Sequence, residues 1–126
     1  MEHFRLISRK NSAVFHNRLA IKMRLQSDPT VIYAITDGYG KMERNLTRKD
    51  LWFQSSYNTY RNAGLPPTPI CCPGEYAIVA AMQPQSTEFM YFVANEDHTG
   101  HIFAKDYKSH LKNVRQVSHQ KKEHQL

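Results

Sequence analysis

The stretch Gly64-Leu65-Pro66-Pro67-Thr68-Pro69-Ile70 constrains this chain more than any other. Each proline fixes its own φ, lacks an amide proton and disfavours helical backbone at the residue before it. Three prolines in these seven residues exclude both a helix and an inner strand, and they force a stiff, extended segment. Regular elements therefore lie before residue 64 or after residue 70.

Upstream, Phe15, Leu19 and Met23 recur at helical spacing, with Val14, Ile21 and Leu25 beside them. This pattern predicts a helix over 9–25 with a wide apolar face, while the eight residues before it show no period. Asp28 before Pro29 reads as the N-cap of a short helix carrying Val31, Ile32, Ala34 and Ile35. Asp37-Gly38-Tyr39-Gly40 ends it in a turn, and Thr47 to Leu51 suggests one helical turn. Tyr57 to Arg61 is strand-like in composition. Downstream, Pro73-Gly74 opens a helix whose apolar side is Ile78, Val79, Ala81 and Met82. Glu88 to Ala94 is a strand whose unbroken apolar run implies burial on both faces. The polar loop 95–100 returns it into His101 to Ala104 as a hairpin. A last helix presents Tyr107, Leu111, Val114 and Val117 on one face. The expected class is α+β, with helices packed on a small sheet that includes a C-terminal β-hairpin. The 126 residues have room for one domain, with 118–126 as a frayed tail.

Seventeen Lys and Arg against eleven Asp and Glu give a formal charge of +6. That balance suits anionic partners. However, Lys108, Lys112, Arg115, Lys121 and Lys122 crowd the C-terminal end, as a solvated helix face would. No apolar run approaches the roughly 20 residues that span a bilayer, and no export signal is visible. Cys71 and Cys72 are adjacent, which strains any bond between them and excludes a disulfide framework. Zinc-type spacing is absent, and both read as small buried thiols. Asp97, His98 and His101 could in principle present a metal site from the hairpin loop, but no further ligand is implied and a solvated loop explains them better. Trp52, Phe53, Tyr57 and Tyr60 interleave with Lys49 and Arg61. Such a surface could stack nucleobases or sugar rings, or be ordinary core. Of the carboxylates Asp28, Asp37, Glu75 and Glu88, none sits in an apolar run that would raise its pKa for acid catalysis.

Three blocks carry a resemblance. They are Asn17-Arg18-Leu19 with Met23 to Tyr33; Tyr57-Asn58-Thr59-Tyr60 with Gly64 to Ile70 and Pro73-Gly74; and Tyr91 to Ala94 with Gly100 to Phe103 and His110. Together they resemble the bacterial endolytic murein transglycosylase family, also called YceG-like, over residues 9–117. The resemblance implies an enzyme anchored in the inner membrane and facing the periplasm. That enzyme cuts peptidoglycan glycan strands and leaves 1,6-anhydro-muramic ends. In the family one glutamate protonates the glycosidic oxygen and then helps the sugar's 6-hydroxyl attack the anomeric carbon.

The family places that glutamate in a helix just upstream of the Asn-Arg-Leu segment. Here Glu2 is the only carboxylate at that point, and its context does not match. Ser56 and Cys72 replace the family's usual proline and asparagine. The chain is thus expected to be an incomplete, C-terminal part of the domain, a single partial domain over 1–126 with no catalytic residue of its own. As written, without signal or anchor, it would be cytoplasmic or of unknown location. Gln26, Asp28, Tyr57, Asn58 and Tyr60 are the expected glycan-groove residues. Amides and carboxylates bond sugar hydroxyls, and aromatic faces stack on sugar rings. No metal or other cofactor is expected, and a pyridoxal-phosphate lysine site finds no support. The expected partners are glycan strands, the missing N-terminal half and cell-wall synthesis proteins, with no membrane segment. The rival readings are a non-catalytic peptidoglycan- or partner-binding remnant and, less favoured, a basic nucleic-acid module.

Overall fold

The computed structural model describes residues 2–97 and 99–124, with side chains over 9–97 and 99–118. The elements are α1 (Glu2–Ala20), α2 (Asp28–Ile35), a 3-10 turn (Asp50–Trp52), α3 (Glu75–Met82), β1 (Tyr91–Ala94), β2 (His101–Ala104) and α4 (Tyr107–His124). The class is α+β, with four helices and one two-stranded antiparallel sheet among the described residues. The chain clusters into two compact units, Met1–Asn17 with Gly74–Leu126, and Arg18–Pro73.

In the first unit the hairpin is covered on both faces. Tyr91 pairs with Ala104 and Phe92 with Phe103, so neighbouring side chains point to opposite sides. Phe92 meets Phe15 of α1 edge-on at 5.7 Å, while Tyr91 stacks on His110 of α4 at 5.0 Å. That two-sided packing explains the apolar run. β1 is nevertheless shorter than expected. Asn17 Nδ2 donates to the carbonyls of both Thr87 and Phe89 at 2.9 Å, so these groups are held by a side chain rather than a neighbouring strand. The polar side of α1 also secures the end of α3. His16 Nε2 contacts the Ala81 carbonyl at 2.8 Å and Arg9 Nε donates to the Gln83 carbonyl at 2.7 Å. Carbonyls at a helix C-terminus have no partner within the helix, and α1 supplies one.

Several sequence expectations are corrected. The first helix covers 2–20 rather than 9–25. It ends because Lys22 adopts left-handed backbone (φ 60). Met23 N–H then donates to the Arg18 carbonyl at 2.8 Å and Lys22 N–H to that of Leu19 at 3.1 Å, the two bonds of a Schellman motif. Ser27, not Asp28, holds the N-cap position of α2, and Asp28 lies in its first turn. Tyr57–Arg61 is a run of turns, because the Asn58 side chain bonds nearby backbone in place of a ladder. Of α3 only Ala80 is buried, and Ile78 and Met82 are exposed. Cys71 and Cys72 are free and exposed, since they lie outside any packed element, next to Pro73. The side chain of Glu2 and most of the tail expected to fray over 118–126 fall outside the described side chains.

Candidate functional site

The second unit brings the expected groove residues together as two segments, 26–30 and 57–60. Thr59 joins them. Its carbonyl accepts from Gln26 N–H at 3.3 Å and its hydroxyl from Ser27 N–H at 2.9 Å. The Thr30 hydroxyl donates to the Ser27 carbonyl at 2.6 Å. Its single proton is thereby committed, so in the 2.8 Å contact between the two threonine hydroxyls Thr59 is the donor. Both threonines are buried, and the contact between their hydroxyls is shielded from water.

Asp28 is exposed, and its Oδ1 accepts the Tyr60 phenol proton at 2.5 Å. Burial pushes the Tyr60 phenol well above its ordinary value. The bond to Asp28 and that carboxylate's charge add to the shift, against the opposing charge of Arg18. Gln26 is exposed and holds left-handed backbone at φ 50. For a residue with a Cβ this costs about 1–2 kcal/mol, and such strain persists only where the surroundings impose it. Here the flanking bonds to Thr59 impose it.

Tyr57 is half-buried. Its ring lies 4.9 Å from that of Tyr33, and its hydroxyl lies 2.8 Å from Thr68 Oγ1 in the proline segment. Thr68 donates to the Pro69 carbonyl, which makes Tyr57 the donor to Thr68. Gly38 (φ 90) lies beside the Tyr33 ring in a left-handed backbone that favours glycine. Asn58 differs from the other four. It is fully buried, with Nδ2 donating to the Leu51 and Phe53 carbonyls at 3.0 and 2.8 Å and Oδ1 accepting from Tyr60 N–H at 2.9 Å. It shapes the loop from inside and does not face solvent.

Sequence reasoning did not single out Thr30, Thr59 or Arg18. Thr30 and Thr59 lie 29 positions apart, and no local pattern marks their contact. Arg18 is buried, and its Nη1 donates to the Leu25 carbonyl at 2.6 Å, fixing the turn that leads into Gln26. Nothing in the local sequence marks that contact.

Two described carboxylates have clearly shifted pKa values, both downward. Asp50 is lowered first by its bond to Arg44, and Asp106 by the Ser109 amide bonded to it. Such groups stay ionised at neutral pH and cannot serve as general acids. Among the described residues no three His, Cys, Asp or Glu side chains converge as a metal site. His98 lies outside the description. His101 instead packs on Phe92, with Asn11 Nδ2 3.5 Å from its Nδ1, and burial lowers its pKa. No helix among the described residues is long and apolar enough to cross a membrane.

Comparison with known proteins gives a consistent result. The model of the YceG-like family matches residues 8–116. An endolytic murein transglycosylase of Bacillus subtilis is 44% identical over 103 residues, covering 82% of this chain and 27% of that protein. One from Streptococcus pneumoniae is 32% identical over 108 residues, covering 82% of this chain and 19% of that protein. A crystal structure of a yceG-like protein from Listeria monocytogenes superposes with a TM-score of 0.72 at 43% identity, over 82% of this chain and 32% of that one. The chain thus spans about a quarter of the length of the Bacillus relative.

Proposed function

Because this chain belongs to the YceG-like family, we propose that it supplies the glycan-holding part of an endolytic murein transglycosylase and does not cleave by itself. Joined to the family's glutamate, it would take part in cutting peptidoglycan strands to 1,6-anhydro-muramic ends at the periplasmic face of the inner membrane. Residues 1–126 act as one partial domain in this reading. A polypeptide bearing the glutamate would be its partner, and cell-wall synthesis proteins its neighbours.

The observation that carries the reading is the Asp28–Tyr60 pair on the buried Thr30–Thr59 link. An exposed carboxylate and the side chain of Gln26 bond sugar hydroxyls, and the tyrosine rings offer apolar faces to sugar rings. Asn58 serves from within as a positioning residue. The test is to incubate the chain with purified sacculi, assay co-sedimentation and examine the soluble muropeptides. Saturable pelleting without anhydro-muropeptides is expected. Release of anhydro ends would overturn the inactive part of the reading, and absence of pelleting would overturn the glycan part.

A further inference from the structure

Trp52 is the chain's single tryptophan, and it is 71% exposed. Its backbone is nevertheless among the most firmly held in the second unit. Asp50 accepts from Thr47 N–H and hydroxyl at 2.8 and 3.0 Å, and Arg44 grips the same carboxylate through two bonds of 2.6 and 3.0 Å. Three consecutive carbonyls then take side-chain donors. Asn58 holds those of Leu51 and Phe53, and Arg61 Nη1 holds that of Trp52 at 3.0 Å. A large apolar side chain facing water on so fixed a turn has lost its backbone freedom without burying its ring, the arrangement of a preorganised contact.

The chemistry around the ring narrows the ligand. Arg48, Lys49 and Arg61 are all exposed on or beside this turn, and Arg61 is anchored at the Trp52 backbone. An apolar protein face would have to strip water from these cations. A pyranose ring has an apolar C–H face for the indole and a polar rim for the guanidinium and ammonium groups. We propose that Trp52, with Arg48, Lys49 and Arg61 at its edge, is a stacking subsite for a sugar ring bearing an acidic substituent. This rests on the glycan reading above and adds a contact beyond the Gln26–Tyr60 region.

Since Trp52 is the only indole, its emission reports on this subsite alone. The full chain is titrated with peptide-free, carboxylate-bearing glycan strands, with uncharged N-acetylglucosamine oligomers and with single-stranded DNA. In parallel, wild type, Trp52→Phe and Trp52→Ala are pelleted with sacculi. The expected result is a saturable emission change with acidic strands, a weaker one with neutral oligomers, and a gap between them that narrows with salt. Trp52→Ala should pellet about tenfold more weakly and Trp52→Phe nearly as well as wild type, on the usual scale for losing an aromatic stack. If sacculi pellet both Trp52→Ala and wild type while strands leave the emission unchanged, this subsite is overturned and the glycan reading stands. If nothing pellets and the emission is silent, the glycan reading fails and the subsite with it. A stronger response to DNA than to either glycan would overturn the subsite in favour of a nucleic-acid surface. The titration uses the unmodified chain, so a misfolded variant would not blunt the test.

Discussion

Asn58 and Tyr60 stand two positions apart and do different work. Asn58 turns inward and replaces a backbone ladder with three side-chain bonds, whereas Tyr60 reaches out to Asp28. Tyr60→Phe is expected to cost about 1 kcal/mol, the usual net worth of one hydrogen bond. The pH dependence has a definite sign. The folded state holds the phenol proton more tightly than the unfolded chain, whose ordinary value is 10.0. The stability this contributes is complete below pH 10 and is lost as pH rises beyond it. Denaturant titrations at about pH 8 and pH 10.5 should therefore show a drop in wild type that Tyr60→Phe lacks; equal drops would refute the assignment. Gln26 allows a second test. Gln26→Gly should relieve the left-handed backbone and stabilise the fold by up to about 1 kcal/mol, while weakening sacculus pelleting. A variant that pellets unchanged would remove Gln26 from the glycan contacts.

At the scale of the element, helix ends matter more than helix interiors. α1 stops because two amides fold back on Arg18 and Leu19, which requires left-handed backbone at Lys22. Glycine is the usual residue there, so Lys22→Gly should raise stability by about 1 kcal/mol. Thermal denaturation against wild type checks this, and a lower midpoint would mean that the lysine side chain makes a contact worth more than the strain. The same logic explains the one-residue error at α2. Aspartate and serine both cap helices, and the Thr59 hydroxyl bond to Ser27 N–H fits the arrangement with Ser27 outside the helix. That shift leaves the Asp28 carboxylate to Tyr60.

At the scale of the whole molecule, the core of each unit is thin among the described residues. The buried apolar residues among those described are Ala13, Val14, Leu25, Val31, Ala80, Ala104 and Val117, mostly small. Ile21, Leu65, Ile78 and Met82 stay exposed. Small side chains remove little apolar area from water, and at about 25 cal/mol per Å² they stabilise weakly. We expect a midpoint below the roughly 45–65 °C typical of mesophilic domains, with light scattering that grows with concentration. A sharp melt above that range would count against it. If 1–126 is one partial domain, Trp52 fluorescence from the second unit and far-UV circular dichroism, to which α4 of the first contributes, should change together. Separate midpoints would make the two units independent domains.

How much could be read in advance follows from the range of the forces involved. Local chemistry was legible. The prolines of 64–70 excluded regular structure there, Pro73-Gly74 opened α3, and the turn after Asn95 closed the hairpin. Each depends on φ restrictions or on apolar patterning within a few residues. The family, too, was legible from three short blocks. What only tertiary structure decided are contacts between residues far apart in the chain. Thr59 with Thr30, Tyr60 with Asp28, Asn17 with the carbonyls of Thr87 and Phe89, and the exposure of Ile78 and Met82 all depend on which segment arrives opposite. A hydroxyl or amide can bond many partners, and its own sequence neighbours do not say which one the fold will bring within 3 Å.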